Sequence, residues 1–250
     1  MPLRQAIQLG ERASSNGPVS ELSESSGFLA VNPRTGRGRK HDRSKRIIEL
    51  IMVPILLLAL SPVFVVVALA IRWRLGSPVF YRGQRVGRDE KVFGQLKFRT
   101  MIDANDAMGR PLPDGDRITG LGRVLRAMSL DELPQLLNVI KGEMSIIGPR
   151  PLPVAYLDRY SVEQRRRHEV RPGLTGLAQS NGRNSVAWDQ RFAWDVAYVD
   201  QASFLLDARI IGRSFKLVIS RSGISADGHA TAPEFLGSAA LASTEGAHRE

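Results

Sequence analysis

The stretch "IIELIMVPILLLALSPVFVVVALAI", residues 47–71, decides what kind of fold this chain can have. It carries a single charge, Glu49, close to its start. A helix of this length reaches roughly 37 Å, enough to cross the hydrocarbon of a bilayer. It begins too deep in the chain and runs too long for a secretory leader. Basic residues flank both ends, in "RTGRGRKHDRSKR" (34–46) and "RWR" (72–74), so charge asymmetry assigns no orientation. Ser61-Pro62 falls near the middle, with Pro54 upstream, and a proline removes a backbone donor and kinks a helix. A serine hydroxyl can satisfy the carbonyl that such a break frees. Two readings stay open: a bent helix that enters and leaves by one face, with Trp73 as interfacial anchor, and an ordinary kinked span.

Around this segment the chain divides by composition. Residues 1–43 read as a disordered, basic N-terminal extension. Residues 44–75 hold the membrane-associated helix broken at Ser61-Pro62. Residues 76–225 are long enough for one globular domain, and 226–250 form a flexible, Ala/Gly/Ser-rich tail. In the globular part "SPVFYRGQRVG" and "KVFGQLKFRTM" alternate like short strands. "GLGRVLRAM", "LPQLLNVIKG" (ending at Gly142), "SVEQRRRHEV", "WDQRFAWDVAYVDQ" and "FLLDARIIGRSFKLVIS" read as helices. The expected class is α/β with mostly helices, the last two helices being amphipathic and interfacial.

The 250 residues hold 35 Lys+Arg against 25 Asp+Glu, a formal charge of +10, which favours nucleic acid, acidic headgroups or phosphorylated substrates as partners. With no cysteine there is no disulfide, thiol nucleophile or thiolate metal site. His41, His168, His229 and His248 are too scattered for a metal pattern.

Against that basic background stands "SLDELPQ", residues 129–135, with adjacent carboxylates Asp131 and Glu132. Ser129 and Glu132 match a capping box, or Asp131 caps a helix whose first turn holds Pro134. The chemical reading rests on the surroundings. Arg126 lies five residues upstream, Arg150 stands between Pro149 and Pro151, and Lys97 sits in "KFRTM". Acids grouped with arginines and a lysine point to phosphoryl chemistry, in which a carboxylate can be the nucleophile. Two anions must then meet, which calls for a divalent cation, and Mg²⁺ suits oxygen-only ligands.

These pieces, in order with "KRIIEL", "LRAMSLDELPQLLNVIKGEMSIIGPRPLP", "RPGLTGLAQSNGRN" and "SFLLDARII", span about residues 44–225 and resemble the bacterial sugar transferase family, the monotopic phosphoglycosyl transferases of small, minimal-domain type. Glu49 stands where that family leads us to expect Asp, and Pro54 adds a second helix breaker. The resemblance implies that Asp131 is the nucleophile on the β-phosphate of a UDP-sugar and a Mg²⁺ contact, and that Glu132 is a general base or metal-orienting group. It places Lys97, Arg126 and Arg150 at the phosphates and, less firmly, Asn181 and Arg183 near the nucleotide. A polyprenol phosphate, by analogy undecaprenyl phosphate, is the implied acceptor, membrane phospholipids are partners, nucleic acid is not, and a homo-oligomer is left open. The sugar by analogy is an acetamido or diacetamido sugar. The implied location is the bacterial inner membrane, with one cytoplasmic catalytic domain on a re-entrant helix.

Several motifs carry less. "GLGRVL" lacks the third glycine and preceding strand of a dinucleotide loop. "RRRH" (165–168) reads as a solvated helix face, Trp188 and Trp194 as packing, and Arg171 of "RPGLTG" as turn architecture. The rival from another class is a non-catalytic membrane-attached scaffold that binds acidic lipid or nucleic acid, in which Asp131 is only a cap.

Overall fold

The computed structural model describes residues 37–182, 186–220 and 234–237. Its first element is the long apolar helix α1 (Arg37–Arg74), followed by strands β1 (Phe80–Val86) and β2 (Val92–Phe98), helices α2 (Gly120–Ala127) and α3 (Gln135–Lys141), and strands β3 (Ser145–Ile147) and β4 (Gly173–Thr175). Helices α4 (Leu177–Gly182), α5 (Trp188–Gln201) and α6 (Phe204–Ser220) complete the domain, with short one-turn and 3₁₀ helices in the connections. The described residues are mostly helical α/β with two small sheets. β1 and β2 form an antiparallel hairpin in register Phe80↔Phe98 to Val86↔Val92, while β3 and β4 pair in parallel. Gly142 ends α3 at φ 83°, a backbone conformation that glycine adopts without a Cβ penalty.

Among the described residues α1 is the one helix long and apolar enough to cross a membrane. It runs unbroken through both prolines. The break expected at Ser61-Pro62 is therefore absent: Pro62 cannot donate to the carbonyl of Leu58, one turn back, and the Ser61 hydroxyl donates to that oxygen at 2.7 Å instead, so the helix continues with that acceptor satisfied.

One stripe of α1 is covered along its whole length. Asp42, Lys45, Glu49, Val53, Val67 and Ile71 are buried, at the spacing that puts them on one face. Val53, with Leu57 and Leu60, packs on Phe93, Leu136, Val139 and Met144. Val67 and Ile71 pack on Phe98 and Leu125. The opposite face, including Ile47, Ile51, Ile55, Leu58, Val66 and Leu69, is exposed and apolar. The domain therefore lies alongside α1 rather than beyond its end.

The first third of α1 is tied down by buried charge. Arg171 donates to Asp42 at 3.0 Å and pairs with Glu49 at 2.9 Å. Glu49 also accepts from the Ile146 amide and the Ser145 hydroxyl. Lys45 donates to the Ile147 carbonyl and the Tyr198 hydroxyl, and His41 meets Asp207 at 2.7 Å. The one charge in the apolar stretch is thus directed into the protein, and Arg171, read from the sequence as turn architecture, instead ties the domain to α1. Removing one partner of such a buried pair costs about 3–5 kcal/mol, because the other charge stays stranded.

The "RRRH" stretch departs from expectation. It is no solvated helix face: Arg167 and His168 are buried, Arg167 pairs with Asp195 at 2.7 Å and Arg166 with Asp200. The chain there changes from a one-turn α-helix (Val162–Arg165) to a 3₁₀ turn (Arg166–Glu169), which spreads the charges around the axis. The carboxylates that receive them come from α5, remote in sequence. Trp188 packs with Tyr156, Phe192 and Phe235 and Trp194 against the cluster around Tyr198, as the packing reading holds. Helix α6 buries Leu206 and Ile210 while Phe204, Leu205, Ile211 and Phe215 stay exposed beside Arg209, Arg213 and Lys216.

Candidate active site

Asp131 and Glu132 lie on a single 3₁₀ turn, Leu130–Glu132, between α2 and α3. The capping reading fails here for a backbone reason. An N-cap needs extended φ/ψ so that its side chain can reach the N–H groups ahead, but Ser129 is left-handed at φ 56° and its side chain caps nothing. Its amide instead donates to the Arg126 carbonyl at 3.0 Å, so Ser129 closes the helix before it rather than opening the one after. Helix α3 begins only at Gln135, after Pro134 and without a side-chain cap; Asp131 is no cap either.

The leucines on either side fix the turn. Leu130 and Leu133 pack into the cluster of Val67, Ile71, Phe98 and Leu125, against the C-terminal half of α1. The carboxylates thus sit on the long apolar helix's own packing partner.

β2 brings Lys97 to the site, at the register position opposite Tyr81. Lys97 Nζ donates to Glu132 Oε1 at 2.7 Å, and Arg150 Nη2 donates to the same oxygen at 2.9 Å. Burial alone would raise the Glu132 carboxyl, but the Arg150 and Lys97 charges and their hydrogen bonds outweigh it and hold it far below the usual range. Asp131 differs. It is buried, and burial, then the Glu132 charge, pushes its carboxyl up against the opposing pull of Lys97, Arg126 and Arg150. Among the described residues no donor hydrogen-bonds its carboxylate. Arg126 is held by a bond from Nε to the Thr100 hydroxyl at 3.0 Å, close enough to act on Asp131 by charge. The structure thus gathers Asp131, Glu132, Lys97, Arg126 and Arg150.

Asn181 accepts from Arg213 of α6 at 2.7 Å, and Arg183 lies outside the described residues. A support of the site escaped sequence reading. Arg167 donates to the Arg150 carbonyl at 2.7 Å while Asp195 anchors it. Pro149 and Pro151 stiffen the backbone of Arg150, and Arg167 fixes where that backbone sits. A charge run such as 165–167 carries no mark of which arginine turns inward.

Among the described residues no three carboxylates or histidines gather as a metal cage. Mg²⁺ commonly takes one or two carboxylates, substrate phosphates and water. Asp131 and its neighbour fit that pattern, with Asp131 the less encumbered donor.

Residues 40–221 match the family model described as bacterial sugar transferase. The chain is 46% identical over 199 residues to the uncharacterized sugar transferase EpsL of Bacillus subtilis, covering 80% of this chain and 98% of the relative. It is 39% identical over 197 residues to the exopolysaccharide production protein ExoY of Sinorhizobium fredii, covering 72% and 87%. It is 38% identical over 183 residues to the UDP-glucose:undecaprenyl-phosphate glucose-1-phosphate transferase of Caulobacter vibrioides, covering 69% and 68%.

Proposed function

The chain belongs to the bacterial sugar transferase family, and on that premise we propose that it transfers a sugar 1-phosphate from a UDP-sugar to undecaprenyl phosphate, the first step of exopolysaccharide assembly. The observation that carries this reading is the unequal treatment of two adjacent carboxylates. Glu132 absorbs the two nearest cations, and Asp131 keeps its oxygens for a reaction partner.

Two displacements follow. Asp131 Oδ attacks the β-phosphorus, the P–O bond to the α-phosphate breaks, and UMP leaves. An oxygen of undecaprenyl phosphate then attacks the phosphosugar held on Asp131, the P–O bond to the carboxylate breaks, and the polyprenyl-diphosphate sugar leaves. Neither step needs a net proton, because nucleophile and acceptor are both anions. A carboxylate held as low as Glu132 is a poor base; it orients Lys97 and Arg150 toward the phosphoryl oxygens. Bound through Asp131 and the diphosphate, Mg²⁺ would supply charge screening.

The same packing supports a location at the membrane surface. Both halves of α1 contact the one domain, which favours a re-entrant helix with both basic flanks on a single face, the cytoplasmic one by family analogy. The exposed apolar faces of α1 and α6 then enter the leaflet. The lipid acceptor must meet the carboxylates there, since each methylene drawn into water costs about 0.8 kcal/mol. The scaffold alternative has nothing comparable behind it, because Asp131 is not a cap.

The test is product formation with UDP-glucose, the donor in one relative's name, Mg²⁺ and undecaprenyl phosphate, alongside a panel of other UDP-sugars. We expect UMP and a lipid-diphosphate sugar, and a phosphosugar mass on the peptide bearing Asp131 when the acceptor is withheld. Turnover without that adduct in any trapping condition would sink the covalent route.

A further inference from the structure

Residues 234–237 lie beyond α6 and form neither helix nor strand, yet Phe235 is fully buried while Glu234 and Leu236 on either side of it are exposed. The Phe235 ring enters the aromatic cluster of Tyr156, Tyr160, Phe192 and Trp188. It stacks on Tyr160 with centroids 5.8 Å apart at 20° and meets Phe192 edge-on at 4.9 Å. The Phe235 amide donates to the Tyr156 hydroxyl at 3.2 Å. Arg159 donates to the Phe235 carbonyl and pairs with Glu234 at 2.8 Å. With both backbone groups paired, sliding the segment by one residue would strand a donor or an acceptor, so Phe235 is the one ring it delivers.

The cluster that receives Phe235 also holds Arg167. The Arg167 guanidinium lies 5.6 Å from the Tyr160 ring centroid and 5.5 Å from that of Phe192, and its Nη1 donates to the Tyr160 hydroxyl at 3.1 Å. Its Nη2 donates to the Arg150 carbonyl and to Asp195, both at 2.7 Å. Arg150 Nη2 in turn donates to Glu132 at 2.9 Å. Every step from Phe235 to the carboxylate pair is therefore a direct contact: ring on ring, guanidinium to hydroxyl, guanidinium to carbonyl, guanidinium to carboxylate. Interiors are close-packed. Without the Phe235 ring, Tyr160 and Phe192 lose a neighbour and relax toward the cavity, and the hydroxyl that orients Arg167 moves with its ring. Asp195 still holds Nε and Nη2 of Arg167, so the Arg150 carbonyl is the partner that loses alignment.

We propose that Phe235 is a positioning residue for the transfer. Seated on Tyr160 and Phe192, it fixes Arg167, and through Arg167 the backbone that carries Arg150 to the phosphates. This rests on the phosphoglycosyl-transfer reading above and adds to it a residue from beyond α6. The bonds that pin the segment reinforce the same effect. Tyr156 and Arg159 both lie on the 3₁₀ stretch Val154–Arg159, shortly after Arg150. Phe235 thus grips the chain downstream of Arg150 while Arg167 grips it at the Arg150 carbonyl. A ring that served packing alone would act on stability. A ring on this relay acts on the rate at which folded enzyme reacts.

The test is the rate of the chemical step in folded enzyme. Full-length protein in lipid nanodiscs, with Mg²⁺ and undecaprenyl phosphate, is mixed in excess with UDP-glucose, or whichever UDP-sugar proves to be the donor, and UMP release is followed through a single turnover. An unfolded fraction lowers the amount of enzyme taking part but leaves this rate constant unchanged while folded sites stay in saturating excess. Phe235→Leu, which keeps much of the apolar volume, should lower the rate constant by roughly tenfold or more, as small misplacements of catalytic groups do. Phe235→Ala should lower it further. Tyr160→Phe removes the hydroxyl and keeps the ring. Combined with Phe235→Leu, it should cost no more than about twofold beyond the slower single variant, because both act through Arg167. Rate constants within about twofold of wild type for the Phe235 variants, with only the melting temperature lowered, would make Phe235 a packing residue and overturn the proposal, as would losses that multiply in the double variant. If wild type releases no UMP from any UDP-sugar, the transfer reading itself fails and takes this one with it.

Discussion

Glu132 takes hydrogen bonds from Lys97 and Arg150 on one oxygen, while Asp131, its neighbour in the chain, takes none from any described residue. Two carboxylates with the same chain neighbours are thus driven in opposite electrostatic directions, and the division of labour at the site follows from that difference.

Asp131→Asn should fold, stay membrane-bound and lose roughly 10³-fold or more in turnover, the scale seen when a nucleophile is removed. Because the folded protein raises the Asp131 carboxyl, the ionised group costs stability, and that cost grows as pH rises from the unfolded value through the folded one. The variant should therefore melt no lower than wild type at pH 8, with its advantage fading as pH falls below the ordinary carboxylate range. Thermal melts at several pH values, paired with a UMP-release assay, check both halves.

Lys97→Met leaves Glu132 with Arg150 alone. We expect kcat to fall by about 10²-fold, as when one preorganised donor is lost, with a smaller change in donor KM. Lys97→Arg should restore much of it. Full activity in Lys97→Met would exclude Lys97 from the phosphate site.

Cysteines placed at exposed Ser44 and Ser77, in a chain with none of its own, should react with an impermeant thiol reagent from the same side of sealed vesicles. Labelling from opposite sides would mean that α1 spans the bilayer.

His168 is buried, and burial, then the Arg167 charge, pushes it down to about 3. A neutral buried imidazole contributes stability that is fully present above the unfolded value near 6.5 and is lost as pH falls toward about 3, at up to roughly 1.4 kcal/mol per pH unit. His168→Gln should flatten this acid limb of the stability curve, read from melts between pH 7 and pH 4.

Arg167→Met should strand the Asp195 carboxylate, which is fully surrounded by protein, and destabilise the domain by about 3–5 kcal/mol. Arg167→Met with Asp195→Leu should recover most of that stability but little activity, since Arg150 would still lose the donor to its carbonyl.

The long apolar helix, the hairpin, the helices at 120–127, 188–201 and 204–220, and the residues Lys97, Arg126, Asp131, Glu132 and Arg150 were all legible in one dimension. Apolar runs, alternation, glycine stops and clustered charge are local properties that a chain displays before it folds. The roles within those groups were not. Ser129 matches a capping signature and is left-handed. "RRRH" matches a solvated face and turns inward. Glu49 shows in the sequence only as the single charge of an apolar run, and it binds Arg171. Each outcome depends on a partner far along the chain or on a backbone angle, and neither leaves a trace in spacing. Composition and periodicity determined that this protein has an apolar helix beside a basic domain with a carboxylate pair. Only the tertiary contacts decided which carboxylate is neutralised and which is left open, because charge pairing is settled by distances that folding alone creates.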